Sequence, residues 1–108
     1  MAKSTSTGGV NLDDRIWVNP SPPVKGQTVE VGYRGLLAKS GADRTYLHYG
    51  FDNWKNPRTV PMSKMPDGSF CARILVEGER ELNFCFKDSA DHWDNNSGWN
   101  WTQPIAKR

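Results

Sequence analysis

The sequence predicts an all-β domain, specifically an antiparallel β-sandwich of the immunoglobulin-like type. Six or seven short runs of alternating apolar and polar residues are separated by turns rich in glycine and proline, which is the pattern of such sandwiches. No stretch of ten or more residues shows a helical period. With 108 residues the chain has the usual length of a single domain, so one such sandwich accounts for all of it.

The first half of the chain contains three predicted strands. Residues 15–18 form a short strand, which ends at residues 19–23 because the three prolines there cannot continue a hydrogen-bonded ladder. Residues 28–34 alternate clearly and predict a half-buried strand. A glycine-containing loop over residues 36–43 leads to the third strand at residues 45–51. The residues expected to face the core on the second strand are Val29, Val31 and Tyr33.

The second half predicts an edge strand, a hairpin and a final strand. Pro61 favours an edge position for residues 60–65. Residues 69–76 and 80–87 then form a predicted hairpin centred on Gly78, and a last strand covers about residues 99–105. The hairpin register places Cys71 opposite Cys85, which allows a disulfide or two free thiols, and the absence of an export signal favours free thiols. Its inner pairs are Phe70 with Phe86, Ala72 with Phe84 and Ile74 with Leu82.

The composition divides the chain into a short tail and one module. Residues 1–14 are small and polar and predict a disordered N-terminal tail, followed by the module at residues 15–106. These residues contain no signal peptide, so the location is unknown: either the cytoplasm, as the default, or one set by a leader or parent enzyme outside this sequence. The net charge of +2 is too small and too evenly distributed for a nucleic-acid binder, and no apolar run could span a membrane. We therefore expect neither a nucleic acid nor a membrane as a partner. We also expect a monomer.

Catalytic and metal sites are poorly supported by the sequence. Asp88, Asp91 and Asp94 offer carboxylates of the kind that glycosidases use, but a single small sandwich provides little cleft between them. The two histidines, His48 and His92, lack zinc-ligand spacing, and the loop at residues 88–96 does not follow the EF-hand pattern, although its oxygen atoms would suit calcium. The expectation is a non-enzymatic chain without a cofactor or metal.

Aromatic residues in two polar segments carry the strongest functional signal. Trp54 lies in a cluster at residues 48–54, and Trp93 lies in a second cluster at residues 87–102, both flanked by short amide and carboxylate side chains. Because such flanks are too polar for a core, we expect both indoles to be exposed and to form a stacking platform. The apolar faces and hydroxyl edges of a sugar ring suit that combination. We expect the remaining tryptophans, Trp17, Trp99 and Trp101, to be buried.

Three motifs resemble those of starch-binding modules. They are YLHYG at residues 46–50 followed by Trp54, LNFCFKD at residues 82–88, and WDNNSG at residues 93–98. Together they resemble carbohydrate-binding module family 25 and the related modules of starch synthases, over about residues 24–102. The resemblance implies a β-sandwich that binds starch, glycogen or maltooligosaccharides without cleaving them. The α-glucan surface that it implies consists of His48, Trp54 and Trp93, with Asp94 and either Asn95 or Asn96 bonding to hydroxyls.

Two kinds of partner remain compatible with these residues. The first is an α-1,4-glucan, with a glucan-active enzyme as a possible companion that the module would hold on its polymer. The second is a protein, since exposed aromatic residues also dominate protein interfaces and an immunoglobulin-like sandwich serves many functions. The amides and carboxylates around Trp54 and Trp93 favour the sugar, because a protein interface would surround them with a wide apolar patch.

Overall fold

The computed structural model describes residues 15–39, 41–95, 98 and 100–107. The predicted tail at residues 1–14, together with Asn96 and Trp99, lies outside them. Within the described residues the chain forms nine strands and one four-residue helix, and no helix there is long and apolar enough to cross a membrane. The elements are β1 (Ile16–Asn19), β2 (Thr28–Tyr33), α1 (Leu36–Lys39), β3 (Thr45–Phe51), β4 (Lys55–Pro61), β5 (Ser63–Lys64), β6 (Phe70–Leu75), β7 (Glu81–Asp88), β8 (Trp93–Asp94) and β9 (Trp101–Pro104).

The strands form two antiparallel sheets that pack face to face, which confirms the predicted β-sandwich. The four-stranded sheet has the order β1-β2-β6-β5. The five-stranded sheet has the order β4-β3-β7, and both β8 and β9 pair with the far side of β7, one after the other along its length. Strands β3 and β7 are therefore central, with neighbours on both sides.

The core lies between the sheets and is dominated by aromatic rings. Trp101 is fully buried, as expected, and its ring stacks on Phe84 at a centroid distance of 6.2 Å. Tyr33 from the opposite sheet stacks on Phe86 at 4.1 Å. Trp17, in contrast, is only half-buried, because it lies on the outer face of the four-stranded sheet across Gly32. The expectation of a buried Trp17 is therefore wrong.

The predicted hairpin of residues 69–76 and 80–87 is also wrong, because β6 and β7 belong to different sheets. β6 pairs with β2 and β5, whereas β7 pairs with β3. The intervening residues cross between the sheets, and a β-carbon on Gly78 would lie only 2.5 Å from that of Phe51. Cys71 and Cys85 consequently lie in opposite sheets, and both are free thiols. The inward-facing residues were nevertheless assigned correctly, since alternation specifies the buried face of a strand but not its partner.

A second crossing divides the predicted edge strand at residues 60–65. Strand β4 ends at Pro61 on the edge of the five-stranded sheet. Met62 is buried, and Ser63 begins β5 on the edge of the other sheet. The edge position that proline favours is therefore confirmed, but the run belongs to two sheets. The predicted loop at residues 36–43 likewise contains the short helix α1.

Candidate functional site

Three of the predicted site residues meet on the outer face of the five-stranded sheet. His48 lies on the central strand β3, directly opposite Thr59 of β4 and Cys85 of β7. The imidazole ring stacks on the indole of Trp54 at a centroid distance of 5.6 Å and meets Trp93 edge-on at 5.4 Å. We call His48, Trp54 and Trp93 the aromatic platform.

The two indoles of the aromatic platform both contact His48 but are far from coplanar. The imidazole plane makes an angle of 24° with Trp54 and of 85° with Trp93. The two indole planes must therefore be inclined to each other by at least 61°, the difference between 85° and 24°. Trp93 is 46% exposed, which is unusual for so large an apolar side chain, whereas Trp54 and His48 are half-buried. The expected exposure is therefore confirmed for the Trp93 indole, whereas Trp54, whose ring stacks on His48, is less exposed than expected.

Trp54 is held by an unusual turn between β3 and β4. Phe51 pairs with Lys55, so the turn consists of three residues, Asp52, Asn53 and Trp54, with φ values of 52°, 69° and 64°. A left-handed conformation costs a residue with a β-carbon roughly 1–2 kcal/mol, and aspartate and asparagine tolerate it better than most. Trp54 has no such tolerance, so surrounding contacts must hold it in place.

Two side chains and one glycine supply those contacts. Asp52 accepts hydrogen bonds from the backbone N–H groups of residues 79–81 at 2.6–3.2 Å, which ties the turn to the crossing between the sheets. Asn83 Oδ1 accepts from the backbone N–H groups of Asn53 at 3.1 Å and Trp54 at 3.0 Å. The turn also lies directly over Gly50, where a β-carbon would come within 3.0 Å of the Trp54 Cα.

Trp93 is held from the neighbouring strand by Lys87. These two residues are opposite each other in the β7–β8 pair, and Lys87 also lies opposite Tyr46 of β3. The ammonium group is 5.4 Å from the Tyr46 ring centroid and 5.7 Å from that of Trp93, and it forms an ion pair with Asp91 at 2.7 Å. Such cation–π contacts with both rings fix the lysine beneath the exposed indole.

The polar centre of the platform is a neutral histidine. Partial burial, and then the charge of Lys87, lower the pKa of His48 below its ordinary value. The imidazole is therefore uncharged at neutral pH, with one ring nitrogen that donates and one that accepts. Nδ1 lies 2.8 Å from the Thr59 hydroxyl, and no described residue bonds to Nε2. His48 can thus offer one hydrogen bond to a ligand on the platform.

The structure corrects the expected role of Asp94. The alternation of β8 directs Trp93 outward and Asp94 inward, where Asp94 is only 6% exposed. Its Oδ2 accepts a hydrogen bond from the Tyr33 hydroxyl at 2.6 Å, across the core. Asp94 therefore cannot contact a ligand on the platform, and it joins β8 to the four-stranded sheet instead.

Of the two asparagines predicted to contact the sugar, the structure describes Asn95 and not Asn96. Asn95 is exposed, but its side-chain oxygen accepts a hydrogen bond from the Gly98 N–H at 3.0 Å and its carbonyl accepts from Asn100 at 2.7 Å. It therefore shapes the turn that follows Trp93. Asn96 lies outside the described residues, so its predicted contact with a hydroxyl stays a prediction.

The loop at residues 88–94 gives no sign of a metal centre. Asp88 accepts hydrogen bonds from the backbone N–H groups of Ala90 and His92, and from the His92 ring. These bonds, that of the His92 N–H first, lower the pKa of Asp88. Within the described part of the chain, no group of three or more histidine, cysteine or acidic side chains is placed to hold a metal ion.

Sequence reasoning missed Asn83 and Lys87 as parts of the site. Both belong to the LNFCFKD motif, but the motif does not predict that either supports an indole of the aromatic platform. Asn83 had a detectable signal, since it is an amide between two apolar residues of a strand. Lys87 had none, because a lysine at the end of a strand is an ordinary surface residue.

The comparisons with known proteins identify the type of module. The model of a starch/carbohydrate-binding module, family 53, matches residues 29–84, which include His48, Trp54 and Asn83. An alpha-amylase of Clostridium acetobutylicum is 30% identical over 96 residues, a match that covers 86% of this chain. The chain corresponds to only 12% of the length of that amylase. No solved structure matches the chain.

Proposed function

Since the chain belongs to family 53 of the starch/carbohydrate-binding modules, we propose that its aromatic platform binds α-1,4-glucans without cleaving them. The observation that carries this proposal is the pair of inclined indoles that both contact the His48 imidazole. The ligand class includes starch, glycogen and maltooligosaccharides, which share the same linkage.

The inclination of the indoles favours a curved ligand over a flat one. Each indole offers an apolar surface to the C–H face of one glucose ring. Consecutive rings of an α-1,4-glucan turn relative to each other, whereas those of cellulose form a flat ribbon. Because the planes of Trp54 and Trp93 differ so much, two adjacent rings can stack on both indoles only when the chain bends between them.

His48 would supply the polar contact between the two stacked rings. Its neutral imidazole needs less desolvation than a charged group, and Nε2 is free of other described partners. We place a sugar hydroxyl at this nitrogen. Affinity should be modest, because an open sheet face leaves much of the sugar in water and each polar contact displaces a bound water molecule.

The relative suggests a setting for such binding. The matched protein of Clostridium acetobutylicum is an alpha-amylase, of which the matched segment is a small part. We propose that this module likewise works beside a glucan-active enzyme and holds it on its polymer. The benefit would be a higher effective concentration of enzyme at the polymer surface.

The first test is a calorimetric titration with maltoheptaose, with cellohexaose in parallel. We expect saturable binding of the malto-sugar alone, and its loss in Trp54→Ala and in Trp93→Ala while the fold is retained. Trp17→Ala is the matched control, because Trp17 is half-buried on the outer face of the opposite sheet. If Trp54→Ala or Trp93→Ala binds maltoheptaose as tightly as the unmodified protein, the substituted residue does not belong to the binding site. Silence with both sugars would instead favour a protein partner.

A further inference from the structure

Asn83 of strand β7 lies beneath the turn that carries Trp54, on the same outer face of the sheet as His48. It pairs with Gly50 of β3 on one side and with Thr102 of β9 on the other. Although it is polar, it is only 4% exposed. We propose that Asn83 is the positioning residue that presets Trp54 for glucan binding, an inference that rests on the proposed function.

The side-chain carbonyl oxygen of Asn83 accepts hydrogen bonds from two backbone N–H groups of the strained turn. It accepts from the N–H groups of Asn53 at 3.1 Å and of Trp54 at 3.0 Å, at the centre and the end of the left-handed turn. Gly50 provides the space for this approach, since any side chain there would press on the Trp54 backbone. The indole is thus fixed through its own backbone, without a contact from Asn83 to the ring.

The amide nitrogen of Asn83 explains why this residue is an asparagine. It donates to Glu81 Oε2 at 2.8 Å and to Thr102 Oγ1 at 3.3 Å, and these bonds orient the carbonyl oxygen toward the turn. Glu81 Oε2 also lies 3.2 Å from the Asn53 nitrogen, so the carboxylate and the amide act on the same turn. An aspartate would keep the acceptor but would oppose the Glu81 carboxylate, and an alanine would supply no acceptor at all.

This arrangement makes the aromatic platform rigid before the ligand arrives. Without the Asn83 bonds, the Trp54 N–H would need water as a partner and the Asn53 N–H would keep only Glu81 Oε2, so Trp54 would leave its stacked position beside His48 for part of the time. Binding would then have to order the turn again, which weakens affinity without removing any direct contact to the sugar. The effect should appear in the free protein as well as in the complex.

The test combines an NMR spectrum of the free protein with a maltoheptaose titration of Asn83→Ala. The Trp54 indole resonance, assigned with Trp54→Phe, should shift or broaden while that of the buried Trp101 stays in place. The dissociation constant should rise about tenfold, the loss expected when one more side chain must be ordered on binding. Ser69→Ala is the matched control: Ser69 is a buried polar residue immediately before β6 of the opposite sheet, so this variant should change stability alone.

Each outcome decides the proposal. An unchanged Trp54 resonance, or a shifted resonance with unchanged affinity, would overturn it. If Asn83→Ala does not fold, Thr102→Val takes its place, because it removes one orienting bond and should cause a smaller change of the same kind. If the unmodified protein binds no glucan, the proposed function fails, whereas the spectrum of the free variant still shows whether Asn83 fixes Trp54.

Discussion

Replacement of Tyr33 by phenylalanine tests how the core supports the site. The hydroxyl of Tyr33 donates to Asp94 Oδ2 at 2.6 Å and accepts from the Leu37 N–H at 2.9 Å. It therefore links β2 both to α1 and to β8, the strand that carries Trp93. Burial, and then the bond to Asp94, raise the pKa of this hydroxyl, so it stays protonated and remains a donor at any ordinary pH.

The loss of stability follows from these two bonds. A hydrogen bond to a carboxylate contributes about 1.5–3 kcal/mol, and a buried N–H that loses its acceptor costs a further amount of similar size. Phenylalanine keeps the stack on Phe86, so little packing is lost. We expect Tyr33→Phe to lower the free energy of unfolding by about 3 kcal/mol, which corresponds to a decrease in Tm of roughly 12 °C for a domain of this size.

The assay is urea and thermal unfolding followed by circular dichroism, with Tyr49→Phe as the matched control. Tyr49 is also buried, and its hydroxyl forms no hydrogen bond to any described residue, so the same chemical change should cost little there. Maltoheptaose affinity of Tyr33→Phe should also weaken a few-fold, because β8 is less well held. A stability difference between the two variants below about 0.5 kcal/mol would refute the reasoning, since that is the usual range of neutral substitutions.

Three further predictions concern the turn and the thiols. Gly50→Ala should displace the backbone beneath Trp54 and weaken maltoheptaose binding several-fold in calorimetry with the fold intact, since the new β-carbon would lie 3.0 Å from its Cα. Backbone N–H donors lower the pKa of Asp52 in the folded protein. Its contribution to the free energy of unfolding is therefore present above the unfolded pKa of about 3.9 and is lost as the pH falls through the lower folded pKa. The stability of Asp52→Asn, measured by acid unfolding, should lack this pH-dependent loss. Burial raises the pKa of the Cys85 thiol to about 12, so iodoacetamide should modify half-buried Cys71 first, as mass spectrometry of the native protein would show.

Much of the fold was predictable because alternation alone defines the buried face of a strand. Strand β3 begins and ends where the alternation of residues 45–51 predicts. Strand pairing was not predictable for residues 69–87, because a hairpin and a crossing between sheets bury the same residues. The family match confirms a starch-binding module and gives family 53, so the expected assignment to family 25 in particular is not confirmed.

The aromatic residues of the candidate site could be predicted from the sequence, but the residues that hold them in place could not. Trp54 and Trp93 stand out in sequence as large rings among short polar side chains, and His48 stands out as a polar residue within an apolar strand. The family resemblance placed Asp94 on the ligand surface, although the outward position of Trp93 directs the next residue of β8 inward. Asn83 acts through backbone N–H groups of a distant turn, and no local pattern reveals such a contact.

The position of His48 and Asn83 on the two central strands has a consequence for how this part of the site behaves on heating. His48 and Asn83 lie within a continuous antiparallel ladder in which residues 45–51 pair with residues 82–88. Amide hydrogens in such a ladder usually exchange only when the whole domain opens. Binding competence should therefore not decline gradually as the temperature rises. It should persist to the unfolding transition and disappear with it, so that hydrogen exchange at His48 and loss of glucan binding report the same cooperative event.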